Sequence, residues 1–255
     1  MKDLNICIIG CGYIGMNILE ESIKYTNNIM VCEINKEKLD SIEFNIKKCM
    51  HIKNLKPFDT ETFYFICVDT PLIKTNNDES YLSIDNIINV FEKLSNKLKK
   101  NDTIIIESTI NPNNKNIEIL INIIESNTKF KNGVDINIVL SPERVSPVYE
   151  NTANQNKILV KHIATLNINE QILKLKNFYK NIYKAVVLLS NNTYNTYYEL
   201  ALSKLVENAQ RDVLVAFQNS VKIISEKFLV DYDNIIDICK TKYNYVNEVK
   251  TGLVG

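Results

Sequence analysis

The sequence predicts an α/β protein in which a doubly wound parallel sheet is followed by a long-helix region. Three observations carry this. Short apolar runs alternate with amphipathic runs through the first two thirds of the 255 residues, the mark of repeated strand–helix–strand units. Glycines 10, 12 and 15 stand together at the first strand-to-helix junction. No glycine or proline interrupts the stretch from Tyr194 to Phe228, which is enough for one helix of roughly 50 Å at 1.5 Å per residue. The change of period divides the chain into a sheet domain, 1–190, and a helical domain, 191–255, and a chain of this length can bury a core for both.

Taken in order, LNICII reads as a strand and Tyr13 to about Lys24 as a helix. IMVCE reads as the second strand, followed by a helix near 36–47. FYFICV (63–68) is a strand that must stop at Asp69-Thr70-Pro71, since proline cannot continue a central strand. A helix near 84–98 precedes the strand TIIIE (103–107), and a helix over 116–125 precedes the strand DINIVL (135–140). KILVKHI, the helical ILKLKNFYKNI and the strand AVVLL (185–189) complete the sheet. From about Asn195 the period becomes helical, with Leu200, Leu205, Val213, Ala216, Phe217 and Ile224 at three- and four-residue steps, and a shorter helix is expected over 233–240. The asparagine-rich stretches (111–116, 151–156, 191–195) read as turns and connections.

Composition narrows the function classes. Lys plus Arg number 30 and so do Asp plus Glu, which argues against a broad electrostatic surface for nucleic acid or for an anionic membrane. No apolar run approaches the roughly 20 residues of a membrane helix, and no signal peptide is visible. The six cysteines show no C-x-x-C or C-x-x-H spacing, the pattern of a reduced cytoplasmic protein (of a host cell, if the source is viral) without a zinc site. Cys239, in IIDICK, reads as core. Arginine occurs only at Arg144 and Arg211, and in a lysine-rich chain a retained arginine points to use of its planar fork.

IIGCGYIG places Gly10, Gly12 and Gly15 in G-x-G-x-x-G between a strand and a helix. In that context Gly10 allows the tight turn, Gly12 the approach of a pyrophosphate, and Gly15 the close packing of helix on sheet, while the helix N-terminus favours phosphate. Glu33 ends the second strand, where an acid takes a ribose 2′-hydroxyl and repels a 2′-phosphate, favouring NAD over NADP. A glycine turn without ligand and a surface glutamate are the plainer alternatives. Lys38 fits either a flank of the adenosine or a solvated lysine.

Three further loops, VDTP (68–71), ESTINP (107–112) and SPERVSP (141–147), each follow a strand at its carboxyl end, the edge where open α/β sheets bind ligands; each alone also fits an ordinary turn. Lys204, Asn208 and Arg211 stand at i, i+4 and i+7 of the long helix, so ammonium, carboxamide and guanidinium share one face. That face suits an oxyanion and a polar substrate, and equally a solvated stripe.

Together IIGCGYIG, CEINKEKLD, ICVDTPL, ESTINP, SPERVSP, KLVENAQRD, TKYNY (241–245) and TGLVG resemble, in order and over the whole chain, the UDP-glucose/GDP-mannose dehydrogenase family, most closely its UDP-N-acetylhexosamine 6-dehydrogenase branch. The resemblance implies a Rossmann-type NAD-binding domain, a central dimerisation helix giving a homodimer, and a UDP-sugar substrate. It implies two NAD reductions that convert a sugar C6 alcohol to a carboxylate through a cysteine thioester. By the same resemblance Tyr13, Ile14, Glu33, Lys38, Thr70 and Thr109 contact NAD, with Thr109 also near the reacting centre. Glu143 serves as general base or water-orienting acid. Arg144, Val145 and Arg211 touch the sugar nucleotide. Lys204 and Asn208 stabilise the developing oxyanion, as preorganised donors do.

Departures from the family pattern qualify this. The Gly-His-Cys run with the nucleophilic cysteine, and the UDP-gripping domain beyond it, do not occur in these 255 residues. The expected chain is therefore an incomplete dehydrogenase, or a catalytically inactive NAD-binding and dimerising remnant acting as an interaction module. A 6-phosphogluconate-type enzyme shares the glycine turn and a helix with lysine and asparagine but lacks SPER and the TKYNY–TGLVG ending. The short connection before FYFICV suggests a lost strand–helix unit at the sheet edge. A family glycine pair near Val160 reads Val-Lys-His. His162 and His51 read as structural.

Overall fold

The computed structural model describes residues 4–74, 80–112, 115–144 and 159–242. Contacts divide the chain into two compact units, Met1–Leu202 and Ser203–Gly255.

The first unit is built on an eight-stranded sheet in the order β10-β9-β8-β7-β4-β1-β2-β3. Its strands are β1 (Asn5–Ile9), β2 (Ile29–Cys32), β3 (Lys47–Cys49), β4 (Thr62–Ile66), β7 (Thr103–Ile106), β8 (Asn137–Leu140), β9 (Val160–Ala164) and β10 (Ala185–Leu189), while β5 (Leu72–Lys74) and β6 (Ser80–Leu82) form a separate antiparallel hairpin. The strands from β3 through β8 pair in parallel. β9 meets β8 antiparallel at Leu140 and Ala164, and β10 runs parallel to β9. The order reverses at β1, which lies between β2 and β4. That reversal opens a crevice at the carboxyl ends of the strands, because the helices leaving β1 and β4 cross to opposite faces.

Residue alternation builds a core on each face. Ile6, Ile8, Phe63, Phe65, Ile105 and Val139 pack with Ile18 and Leu19 of α1 (Tyr13–Ser22) and with Leu175 and Phe178 of α5 (Glu170–Tyr179). On the other face Cys7, Ile9, Tyr64, Ile66, Ile104 and Ile106 pack with Ile87, Phe91 and Leu94 of α3 (Asp85–Ser95) and with Leu120 and Ile124 of α4 (Asn116–Asn127). Below the sheet, buried Asp102 accepts from the Thr62 and Lys99 backbone N–H groups at 2.8 and 2.7 Å, tying the start of β4 to the start of β7.

Three expectations change. The helix expected near 36–47 stops early: α2 covers Lys36–Asp40, with Asn35 capping it by accepting from Lys38 N–H at 3.0 Å. The residues Lys47–Cys49 form β3 instead, so the edge strand expected to be lost is present, and its following helix is reduced to one 3₁₀ turn, Ile52–Asn54. Pairing with β2 overrides the helical pattern there, as tertiary context does for short segments. Cys239, expected as core, is only half-buried.

The long helix is α6, Asn195–Lys227, 33 residues. Its start belongs to the first unit, where Tyr197 is fully buried and donates to the Ile138 carbonyl at 2.6 Å. In the second unit α6 packs with α7 (Tyr232–Lys240); Tyr232 donates to Gln218 at 2.8 Å, and Val215 and Ile236 are buried. Asp231 caps α7 by accepting from Asn234 N–H at 2.9 Å. TKYNY from residue 243 onward and TGLVG lie outside the described residues.

The closest packing is at the first helix. A Cβ on Gly15 would stand 1.9 Å from the Gly10 carbonyl oxygen, and one on Gly10, whose φ is +91°, would stand 2.6 Å from the Cys67 carbonyl. Neither obstacle is a side chain that can swing away. Gly15→Ala is expected to destabilise the protein by about 3 kcal/mol, read as a lower urea midpoint at unchanged slope.

Candidate functional site: a dinucleotide crevice with a buried ion cluster

The crevice at the β1/β4 reversal holds a cavity of about 480 Å³ lined by Gly10, Gly12, Cys32, Glu33, Lys38, Val68, Asp69 and residues of α3, among others. Its floor is made by strand ends: Gly10 N–H bonds the Cys32 carbonyl at 2.9 Å and Cys67 N–H the Ile9 carbonyl at 2.8 Å. A Cβ on Gly12 would meet nothing within 4 Å. Gly12 therefore fronts open space where a pyrophosphate would lie, at the N-terminus of α1, for which it is the capping position and offers no side-chain cap. Glu33 is buried, and its two oxygens accept from Cys11 N–H at 2.6 Å and Asn35 N–H at 2.8 Å. Each carboxylate oxygen has a second lone pair, so Glu33 is rigidly aimed yet able to accept ribose hydroxyls. Glycine cradle, helix N-terminus and fixed acid fit a dinucleotide.

The structure thus gathers Gly10, Gly12, Glu33 and Lys38 around one cavity. Gly15 lies behind it, packed on Gly10. Tyr13 and Ile14 open α1 beside it; Tyr13 is exposed, and its phenol is pushed up by partial burial and by the Glu143 carboxylate. Thr70 and Thr109, both half-buried, sit in the loops after β4 and β7. Those loops are laced together: Ser108 Oγ donates to the Val68 carbonyl at 2.6 Å, and Glu107 N–H to that of Ile66 at 3.0 Å. Val145 lies outside the described residues. Lys204, Asn208 and Arg211 occupy α6 in the second unit; Lys204 and Asn208 are half-buried, and exposed Arg211 contacts Asp212 at 3.2 Å. His51, read as structural, lines the cavity together with Lys53 and Lys93. His51 and Lys53 fall in the turn after β3, which was not foreseen, and nothing in the α3 sequence marked Lys93.

A second feature was invisible in the sequence. Lys161, in the triplet Val-Lys-His, is fully buried with its ammonium 2.6 Å from Glu107 and 3.2 Å from Glu143. Tyr179 donates to Glu107 and Tyr183 to Glu143. The ammonium also lies 5.2 and 5.1 Å from the centroids of these two rings. Glu143 Oε1 accepts from Arg144 N–H at 2.7 Å, and the Arg144 guanidinium reaches the Val160 carbonyl at 3.3 Å. Three strand ends are thereby clamped beneath the crevice: β7 through Glu107, β8 through Glu143 and β9 through Lys161. His162 is half-buried, and its carbonyl accepts from Ser141 Oγ at 2.9 Å.

One ammonium cannot neutralise two carboxylates, and an uncompensated charge in such a place is strongly unfavourable. Burial, with the nearby Glu143 charge, raises Glu107 from its ordinary 4.5 to about 7 despite Lys161. Lys161 itself is raised, because the two carboxylates outweigh its burial.

Residues 45–187 match the UDP-glucose/GDP-mannose dehydrogenase family, NAD binding domain. Over 268 residues the chain is 26% identical to Protein CapL of Staphylococcus aureus, covering 98% of this chain and 59% of that protein. It is 25% identical to the UDP-N-acetyl-D-mannosamine dehydrogenase of Pyrococcus horikoshii, covering 93% and 58% respectively. Among solved structures, that of the Pyrococcus horikoshii UDP-D-ManNAc dehydrogenase superposes with a TM-score of 0.74 at 21% identity, covering 98% of this chain and 60% of that one. A ternary complex of GDP-mannose dehydrogenase from Pseudomonas aeruginosa gives 0.74 at 19% identity, covering 95% and 58%. The chain thus spans somewhat under two thirds of the length of these relatives.

The ion cluster makes stability depend on pH. Unfolded Glu107 ionises near 4.5, whereas the folded protein holds that proton to about 7. The folded state binds the extra proton within this window, so stability is greatest below it and falls as pH rises through it. The loss is up to about 3 kcal/mol. Asp102, raised to about 6 by burial, adds to the decline in the lower part of the window. In urea titrations at several pH values Glu107→Gln is expected to abolish the decline between about pH 6 and pH 8.

The glycine cradle, the strand order and the matched sequence agree: the chain belongs to the UDP-glucose/GDP-mannose dehydrogenase family, and its sheet domain is that family's NAD-binding domain.

Proposed function

We propose that this chain binds NAD in the β1/β4 crevice and supplies the cofactor half of a nucleotide-sugar 6-dehydrogenase of the UDP-N-acetylhexosamine type. The observation that carries this is Glu33, buried and held by two backbone N–H groups at the mouth of an open glycine cradle. NAD when bound accepts hydride from the sugar carbon. The chain's own residues bind and orient: Gly10, Gly12, Tyr13, Ile14 and the α1 N-terminus take the pyrophosphate side, Glu33 and Lys38 the adenosine ribose, and Thr70 and Thr109 the loops nearer the reacting end. Arg144, Val145 and Arg211 take the sugar nucleotide. Lys204 and Asn208 donate to the developing oxyanion, where such donors act most strongly away from water. The cysteine nucleophile of the second oxidation comes from outside these 255 residues.

A second reading, a catalytically inactive NAD-binding module that acts through interaction, is favoured by one observation. Both Glu143 oxygens are engaged, by Arg144 N–H on one side and by Lys161 and Tyr183 on the other, so the group assigned to orient water faces inward. Two measurements separate the readings. Calorimetric titration of NAD should show one site per chain, weakened about tenfold or more in Glu33→Ala by loss of charge-assisted hydrogen bonds; no binding to the wild type would sink both. NADH production from UDP-N-acetylglucosamine, on adding a polypeptide that carries a Gly-His-Cys cysteine and a UDP-binding region, supports the enzyme. Binding with silence supports the module.

We further propose a homodimer through α6. Val206, Val213, Phe217 and Ile224 of its apolar stripe are 57%, 68%, 55% and 55% exposed in the second unit, an apolar face of the kind that marks interaction sites. Light scattering at micromolar concentration should give twice the 29.4 kDa chain mass, and Phe217→Glu should return it to one chain.

No helix among the described residues is long and apolar enough to cross a membrane. A cytoplasmic setting, with neither nucleic acid nor membrane as partner, is consistent with the balanced charge.

A further inference from the structure

Cys32 closes β2 and Cys49 closes β3, and the two are register partners on these parallel strands. Partners on neighbouring parallel strands lie about 4.8 Å apart and project to the same face. A disulfide spans Cα separations of about 4.4–6.8 Å. Both side chains pack in the same apolar cluster. They differ in setting. Cys49 is half-buried, whereas Cys32 is 2% exposed and lines the dinucleotide cavity. The neighbouring Cys32 thiol, helped by the Lys97 ammonium beyond α3, lowers Cys49 against the effect of burial. The Cys49 thiol, together with burial, raises Cys32. Elsewhere burial raises Cys7 and Cys67 well above the ordinary thiol range and Cys11 to about 12, which leaves those thiols inert.

An accessible thiol of lowered pKa beside a second, resolving thiol is the arrangement of redox-sensing cysteines. We propose that Cys49 and Cys32 are a peroxide-reactive pair, with Cys49 as the attacking thiolate and Cys32 as the resolving thiol. The Cys49 thiolate attacks one oxygen of hydrogen peroxide, the O–O bond breaks and hydroxide leaves, forming the sulfenic acid. Cys32 sulfur then attacks Cys49 Sγ, the S–S bond forms and the S–O bond breaks. The hydroxide leaving group takes up the Cys32 proton as water. Two thiols lose two electrons, and peroxide is reduced to two waters. The resulting bridge ties β2 to β3 next to Glu33, whose N–H already bonds the Cys49 carbonyl at 3.1 Å.

The test treats the reduced full chain with equimolar hydrogen peroxide, blocks remaining thiols under denaturing conditions, and maps peptides by mass spectrometry. The expected product is an intrachain Cys32–Cys49 disulfide, two hydrogens lighter than the reduced protein and reversed by dithiothreitol. In Cys32→Ser the reaction should stop at a Cys49 sulfenic acid trappable by dimedone, and Cys49→Ser should lose most of the peroxide-consumption rate. The wild-type map needs no variant to fold. A disulfide mapping to other cysteines, only over-oxidised Cys49 in the wild type, or undiminished consumption by folded Cys49→Ser would overturn the proposal.

Discussion

The approach of α1 to the sheet through bare backbone is the contact on which the nucleotide crevice depends. Gly15 faces the Gly10 carbonyl at a distance no Cβ could share, and Gly10 in turn sits against the Cys67 carbonyl at the end of β4. With these two glycines in place, the helix starts directly above the reversal of strand order. Its first-turn N–H groups then point into the space between β1 and β4. Glu33 completes the geometry from β2: by accepting Cys11 N–H it holds the glycine turn and aims its own carboxylate together. Loop, helix and acid form one unit.

The lower part of the same sheet edge is held by charge, in a place where charge is unfavourable. Lys161, Glu107 and Glu143 meet with almost no solvent, roofed by Tyr179 and Tyr183. Full ionisation would leave one negative charge uncompensated, so the cluster keeps a proton near neutrality on Glu107. Such clusters confer less net stability than apolar packing of the same volume but constrain geometry tightly. Here the constraint falls on the β7, β8 and β9 ends, which carry the loops toward the crevice. It also turns Glu143 inward, toward Lys161 and Tyr183.

The helical region shows a different balance. Alanine, leucine, glutamate and lysine sustain a helix of 33 residues without a breaker, yet much of its apolar stripe is exposed in its own unit. Valine, phenylalanine and isoleucine on one face stay open to solvent in that unit, and the polar face of Lys204, Asn208 and Arg211 lies on the same element.

Much of this was legible in the order of residues. Short apolar runs and helical periods located most strands and helices of the first unit, because a strand buried on both faces and a helix buried on one each impose a local pattern that the chain must carry. The glycine spacing and Glu33 announced the crevice for the same reason: their roles are met within one strand–turn–helix segment. What depends on distant partners was not legible. Lys47–Cys49 is a strand only because β2 offers an edge to pair with, against a weakly helical local pattern. His51 and Lys53 line the cavity only once that strand is in place. Lys161 stands 54 residues from one carboxylate and 18 from the other, and nothing in the triplet Val-Lys-His says that its ammonium is sealed from water. The sequence alone determined the sheet and the cofactor turn, since these are encoded in local patterns, and pointed to the family through the order of its motifs. Tertiary structure decided which charges are buried, which thiols meet and which way Glu143 faces, since long-range proximity sets solvation and Coulomb energy and leaves no periodic trace in the chain.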